Sequence, residues 1–345
     1  MPAPSLNNAF KIPVDWGGPM AKPKKKSPDP DKNKTYNKTL LNAFPYLKSK
    51  AQEGEIGIEI ECEGMNLFSA PISWWHSHVD NSLRPYKGHP PIEYVLRKPI
   101  SRVDVPKALT YLTKKLNEVG SDVQNSHRTS VHIHVNCQQL TFKQVVQFWG
   151  LYAIFEELLV EFSGPDRVGN LFCLRAKDVG HFIHLMVSGI QSENYGEIFN
   201  KDLRYTACNM ASLDKFGSLE FRSMRGTVDQ ATIQLWIDIL CHIRDKALEY
   251  DDPQKIVKDF EKFGPELFVK KIFSEKEDVY NLLTSYSEYK AKMWDGLRLM
   301  RDVAYAITWE KRDESLVEKK EDVPQEERNE SVTLTMAEAG EPAPN

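Results

Sequence analysis

Three short stretches of this chain place carboxylates, imidazoles and a guanidinium at every second position. In GIEIECEG, Glu59, Glu61 and Glu63 alternate with Ile58, Ile60 and Cys62. In SVHIHVN, His132 and His134 alternate with Val131, Ile133 and Val135. In GSLEFRSMRGT, Glu220 and Arg222 alternate with Leu219 and Phe221. An extended chain sends successive side chains to opposite faces, so each stretch predicts a strand with one apolar and one reactive face. Adjacent carboxylates repel one another and are costly to bury, so a solvent-facing edge strand is one account of the first stretch. The other is a rigid bank of hard oxygen ligands for magnesium. A same-face histidine pair fits a metal ligand or phosphate contact as well as a satisfied core position. His76 and His78 in WWHSHVD repeat the pattern and leave a zinc-dependent hydrolytic site open. Glu93 in IEYVLRKP, near Arg97, fits either a ligand or an ordinary ion pair.

Something must hold these strands side by side. The alternation predicts a strand over residues 55–63, strands in WWHSHVD and PIEYVLRKP joined by a loop containing PYKGHPP, and a strand in SVHIHVN. RYTACNMASLDKFGSLEFRSMRGT reads as a hairpin. DVPKALTYLTKKLNEVG predicts an amphipathic helix closed by Gly120, and TFKQVVQFWGLYAIFEELLVEFSG a long buried helix with Thr141 as N-cap. DQATIQLWIDILCHIRDKALEY predicts a further helix, and residues 254 to 310 are mostly helical. Short strands in clusters with helices between them give an α+β fold with a largely antiparallel sheet.

At 345 residues, 41% hydrophobic and 27% charged, the composition is that of a soluble globular enzyme. The net charge of −4 gives no support to a nucleic-acid or membrane binder. No apolar run reaches the roughly 20 residues a bilayer span needs, and the N-terminus lacks a signal-peptide pattern, so the expectation is a cytoplasmic protein. The five cysteines are scattered and never spaced C-x-x-C, which points to neither a disulfide framework nor a thiolate zinc site. Residues 1–35, rich in Pro, Lys and Asn, and the charged residues 311–345 read as disordered tails around a catalytic domain over 36–310.

Taken together and in order, these motifs resemble a family. GIEIECEG, DNSLRP followed by IEYVLRKP, TSVHIHVN, GPDRVGNLFC and the long stretch from Arg204 through Trp236 are similar to the successive motifs of the amidoligases. Those are carboxylate–amine ligases related to glutamine synthetase and glutamate–cysteine ligase. The resemblance runs from about Glu55 to Tyr250. It implies a glutamine-synthetase-like catalytic domain, its active site on the concave face of the sheet and helices behind. It implies ATP and two magnesium or manganese ions as cofactors, with Glu59, Glu61, Glu93, His132 and Glu220 as metal ligands. It implies a phosphoryl-stabilising role for Arg222 and nucleotide contacts from His134, Arg167, Arg204, Asn209 and Arg225. The partners implied are a carboxylate and an amine, with amino acid, peptide, protein and modified nucleobase acceptors all open, and oligomerisation is possible. Glu63, His76, His78 and Asp80 stay unassigned. The alternatives left open are a zinc-dependent hydrolase using His76, His78, His132 and His134, and a catalytically silent binding protein that retains the fold. Thr129-Ser130-Val131 departs from the family's glycine before the first histidine, while Trp74-Trp75 and KGHPP suggest an altered acceptor pocket.

Overall fold

The computed structural model describes residues 34–69 and 73–309. The tail assignments, apart from residues 34 and 35, lie outside the described residues. Seven strands form one sheet: β1 (Ile56–Met65), β2 (Trp75–Val79), β3 (Ile92–Leu96), β4 (Asp122–Gln124), β5 (Ser130–Asn136), β6 (Cys208–Asn209) and β7 (Ser218–Arg225). Their order is β2-β3-β1-β5-β7-β6, with β4 paired to the far end of β1, and every pairing is antiparallel. The helices are α1 (Leu40–Ala43), α2 (Val105–Glu118), α3 (Phe142–Ser163), α4 (Phe182–Ser192), α5 (Ser212–Phe216), α6 (Gln230–Leu248), α7 (Pro253–Ile272), α8 (Glu277–Ser285) and α9 (Tyr289–Ala304). The α+β class and the antiparallel sheet agree with the alternation in the sequence. The hairpin expected before Thr227 is present as β6 and β7, paired antiparallel, and its connection holds the short helix α5, which Gly217 ends in a left-handed conformation before the chain enters β7.

Period-two alternation decides which face is which. Ile56, Ile58, Ile60 and Cys62 of β1 are buried together with Val131, Ile133 and Val135 of β5 and Leu219 and Phe221 of β7. Helix α3 covers this apolar face: Phe148 and Tyr152 place their rings 5.4 and 4.9 Å from that of Phe221. A capping box between Thr141 and Gln144 satisfies the first turn of α3, so the helix starts where the sequence places it. Nearly every α3 side chain is buried, since α9 lies on its far side. At that crossing a Cβ on Gly150 would overlap the Met300 thioether, and one on Gly296 would overlap the Ala153 carbonyl. Only glycine lets the two backbones approach so closely.

A buried carboxylate interrupts the core side. Glu156 of α3 accepts the Ala176 N–H at 2.7 Å, and burial pushes its carboxyl from 4.5 up to about 8. The folded chain therefore holds a proton that the unfolded chain releases, and stability is expected to fall as pH rises between about 4.5 and about 8. Glu156→Gln keeps the acceptor and removes that titration. At pH 8 and above it should unfold at higher denaturant, by on the order of 1–3 kcal/mol. Equal pH slopes for the two proteins would show that Glu156 is ionised in the fold.

Candidate active site

Antiparallel register sets the reactive side chains in rows across the face opposite α3. Glu93 lies between His78 and Glu61. Glu59 stands opposite His132. His134 lies between Gly57 and Glu220, and Glu220 lies opposite Asn209. Paired residues in a ladder share a face, so strands distant in sequence bring these groups together. Gly57 leaves room for the imidazole beside it: a Cβ there would sit 3.2 Å from that of His134. The β5–β7 register shifts between Val131 and Ile133, where β7 carries one residue more than its partner. This bulge sets Arg222 and Ser223 opposite the single His132 and carries Arg225 round to face Ser130.

The groups are close. His132 Nδ1 lies 3.0 Å from Glu59 Oε2 and 3.6 Å from Glu220 Oε1. His134 Nε2 lies 3.3 Å from Glu59 Oε1 and stays buried without a hydrogen-bond partner. Glu59, Glu93 and His132 can bring one donor atom each within 4.8 Å of one another, and so can Glu59, His134 and Glu220. Glu59 belongs to both sets. Arg222 pairs with Glu220 through Nη1, while its Nε is buried without a partner. Asn209 Nδ2 donates to the other Glu220 oxygen at 2.6 Å.

The electrostatics follow from this crowding. Burial works to raise Glu59, but the imidazoles of His132 and His134 outweigh it and hold the carboxylate well below its usual range. Burial also opposes ionisation of Glu220, yet His134, Arg222 and His132 bring it below the ordinary value. Burial, together with the charges of Glu59, Glu61 and Asp80, pushes Glu93 up to about 8. Such a face is short of positive charge. Each donor set is two carboxylates and one imidazole, a combination that could hold a divalent cation. Arg222 Nε, buried without a partner, is the kind of polar atom that an anionic ligand would satisfy.

The structure rearranges several sequence-based assignments. Glu59, Glu93, His132 and Glu220 do converge, and Glu61 lies beside them. However, Glu61 Oε2 accepts both the N–H (2.8 Å) and the hydroxyl (2.6 Å) of Ser130, and it joins neither donor set. His134, expected at phosphates, belongs to one of the sets. Arg167 is fully buried, and its guanidinium donates to the carbonyls of Ser223, Arg222 and His127. It braces the bulge and has no free edge for a nucleotide. Arg225 turns to the Ser163 carbonyl at 3.2 Å, and exposed Arg204 lies on Tyr205. Glu63 accepts the Arg84 N–H at 3.1 Å. Asp80 caps a turn by accepting from Ser82, and His78 bonds Glu93 at 2.6 Å. His76 lies on the outer strand β2, so the four histidines do not gather round one point. Ser130 is the residue that motif reasoning missed, although it lies two positions before His132 and shares its face.

Comparison with known families now decides the question of kinship. The chain matches the family described as "Putative amidoligase enzyme" over residues 31–243, well over half its length. It is a member of the amidoligase family. No curated protein and no solved structure gives a match. The matched stretch of the amidoligase includes every donor named above and ends inside α6. Among its described residues, no helix is long and apolar enough to cross a membrane. Helix α3, with 22 residues, owes its apolar character to burial within the fold.

Proposed function

We propose that this amidoligase is an ATP-dependent carboxylate–amine ligase with a glutamine-synthetase-like site, joining its substrates through an acyl phosphate. The observation that carries this is the pair of donor sets sharing Glu59, with Arg222 fixed beside Glu220. A carboxylate is a poor electrophile, so its oxygen must become a leaving group before an amine can displace it. Phosphoryl transfer does this, and it calls for positioning and charge stabilisation rather than for a protein nucleophile. Glu59, Glu93 and His132 on one side, and Glu59, His134 and Glu220 on the other, would hold magnesium or manganese, which neutralises phosphate oxygens when bound. Arg222, anchored through one nitrogen on a rigid strand, offers its remaining N–H groups to the transferring phosphoryl group. Asn209 fixes the orientation of Glu220, and Ser130 fixes that of Glu61 and His132, the latter at 2.7 Å.

The test uses a substrate carboxylate labelled with heavy oxygen, found by screening amino acids and peptides with ATP and magnesium for loss of water. One labelled atom should leave in inorganic phosphate, together with ADP. Formation of AMP and pyrophosphate, or unlabelled phosphate while amide forms, would exclude the acyl-phosphate route. A milder effect is expected at Ser130. Ser130→Ala keeps the main-chain N–H on Glu61 but loses a hydrogen bond to a charged group, so turnover should drop about tenfold. Unchanged turnover in a normally folded variant would mean that Ser130 does not orient the site.

A further inference from the structure

Two guanidiniums beside the site, those of Arg128 and Arg204, have no carboxylate partner among the described residues. Exposed Arg204 lies 4.6 Å over the Tyr205 ring and donates to its hydroxyl at 2.6 Å. Arg128, two residues ahead of Ser130, lies 5.6 Å over the ring of Phe172. The two rings meet edge to face at 6.3 Å. In contact order the four side chains therefore run guanidinium, ring, ring and guanidinium, here called a row. Main-chain bonds tie this row to the reactive face. Leu174 N–H donates to the Tyr205 carbonyl, Ala207 N–H to that of Leu174, and Arg222 N–H to that of Ala207, at 2.8, 2.7 and 2.8 Å. Asn170 holds the turn of Arg128 through the His127 carbonyl at 2.8 Å. Leu171 and Val168, on the stretch of chain that leads into Phe172, are 73% and 44% exposed.

We propose that this row docks an acidic peptide segment, so that the carboxylate or amine substrate is a peptide or protein rather than a free amino acid. The proposal rests on the ligase assignment only for what happens to the peptide after it binds. Contact with a ring steadies each guanidinium, and the N–H groups not spent on the Tyr205 hydroxyl are left for a carboxylate. The make-up of the row decides the class of ligand. It offers two guanidiniums without a carboxylate and two rings between them in contact order, a mix of charge and apolar surface that one small acid does not match. ATP gathers its charge at one end, and a neutral base and ribose would leave a second guanidinium unpaired. A peptide with acids at intervals pairs with both and lays an apolar side chain on the rings between them.

The experiment is fluorescence anisotropy on the full chain without nucleotide, using labelled Glu-Ala-Leu-Ala-Glu and its counterpart with glutamine at both ends. The acidic peptide should bind at least about tenfold more tightly at low ionic strength, a preference that added salt reduces. Arg204→Gln and Arg128→Gln should each abolish the preference, and Tyr205→Ala should weaken both peptides. Arg204 is exposed, so its replacement leaves the core untouched. Equal binding of the two peptides, or a preference that survives both arginine substitutions, would overturn the proposal. So would ATP affinity falling in Arg204→Gln while peptide binding holds, since the row would then be a nucleotide site. Peptide preference without ATP turnover would sink the ligase assignment alone. Turnover of free amino acids without peptide preference would sink this inference alone.

Discussion

Arg222→Lys is expected to lower turnover at least about a hundredfold, corresponding to about 2.7 kcal/mol, with nucleotide affinity little changed. The split follows from where charge develops. Phosphoryl oxygens and the departing ADP gain charge only as transfer proceeds, so a group placed for that moment contributes to the transition state more than to ATP binding. Arg222 is suited to such a task because its ion pair with Glu220 and the flanking strand fix the plane of the guanidinium. A lysine offers one point charge on a flexible stem and cannot keep Glu220 while bridging two phosphoryl oxygens. Steady-state kinetics alongside direct nucleotide binding would check this. A variant that loses affinity and turnover in equal measure would show that Arg222 serves ground-state binding.

Glu59→Gln should have the larger effect, because Glu59 alone belongs to both donor sets. Replacing it removes ligand charge from both positions at once. Manganese titration followed by electron paramagnetic resonance should show two sites weakened together and turnover reduced on the order of a thousandfold, or about 4 kcal/mol. Glu93→Gln and Glu220→Gln should instead weaken one site each. Two undiminished manganese sites in a folded Glu59→Gln protein would show that the sets are structural ion-pair networks. Thermal unfolding of each variant separates loss of metal from loss of fold.

The sequence made the strands legible because period two survives wherever one face is buried: Ile58, Ile60, Ile133 and Phe221 mark the core face, and their neighbours the reactive one. It also brought Glu59, Glu93, His132 and Glu220 into one set, through the resemblance and not through spacing. Three things lay beyond it. Alternation says which face a side chain takes but not which partner meets it, so Ser130 engaging Glu61, and His134 replacing Glu61 as a donor, required the register. A bulge is one residue in excess of a partner strand and leaves no mark in either strand alone, which hid the position of Arg225. The resemblance placed Arg167 among the nucleotide contacts. Its role became visible only once the main-chain carbonyls of β7 were seen to converge on it.

The tight crossing of α3 and α9 bears on where this protein may be divided. Family likeness stops at residue 243, yet Gly296 and Met300, which seat α9 on the helix behind the sheet, come later. A gene fragment trimmed to the region of likeness would keep every donor of the reactive face and strip its supporting helix of cover. Such a product should aggregate on expression, since the bared surface includes Gly150, Ala153 and Ile154 amid an otherwise apolar helix. The portable unit of chemistry and the smallest unit that can be purified are different lengths of chain.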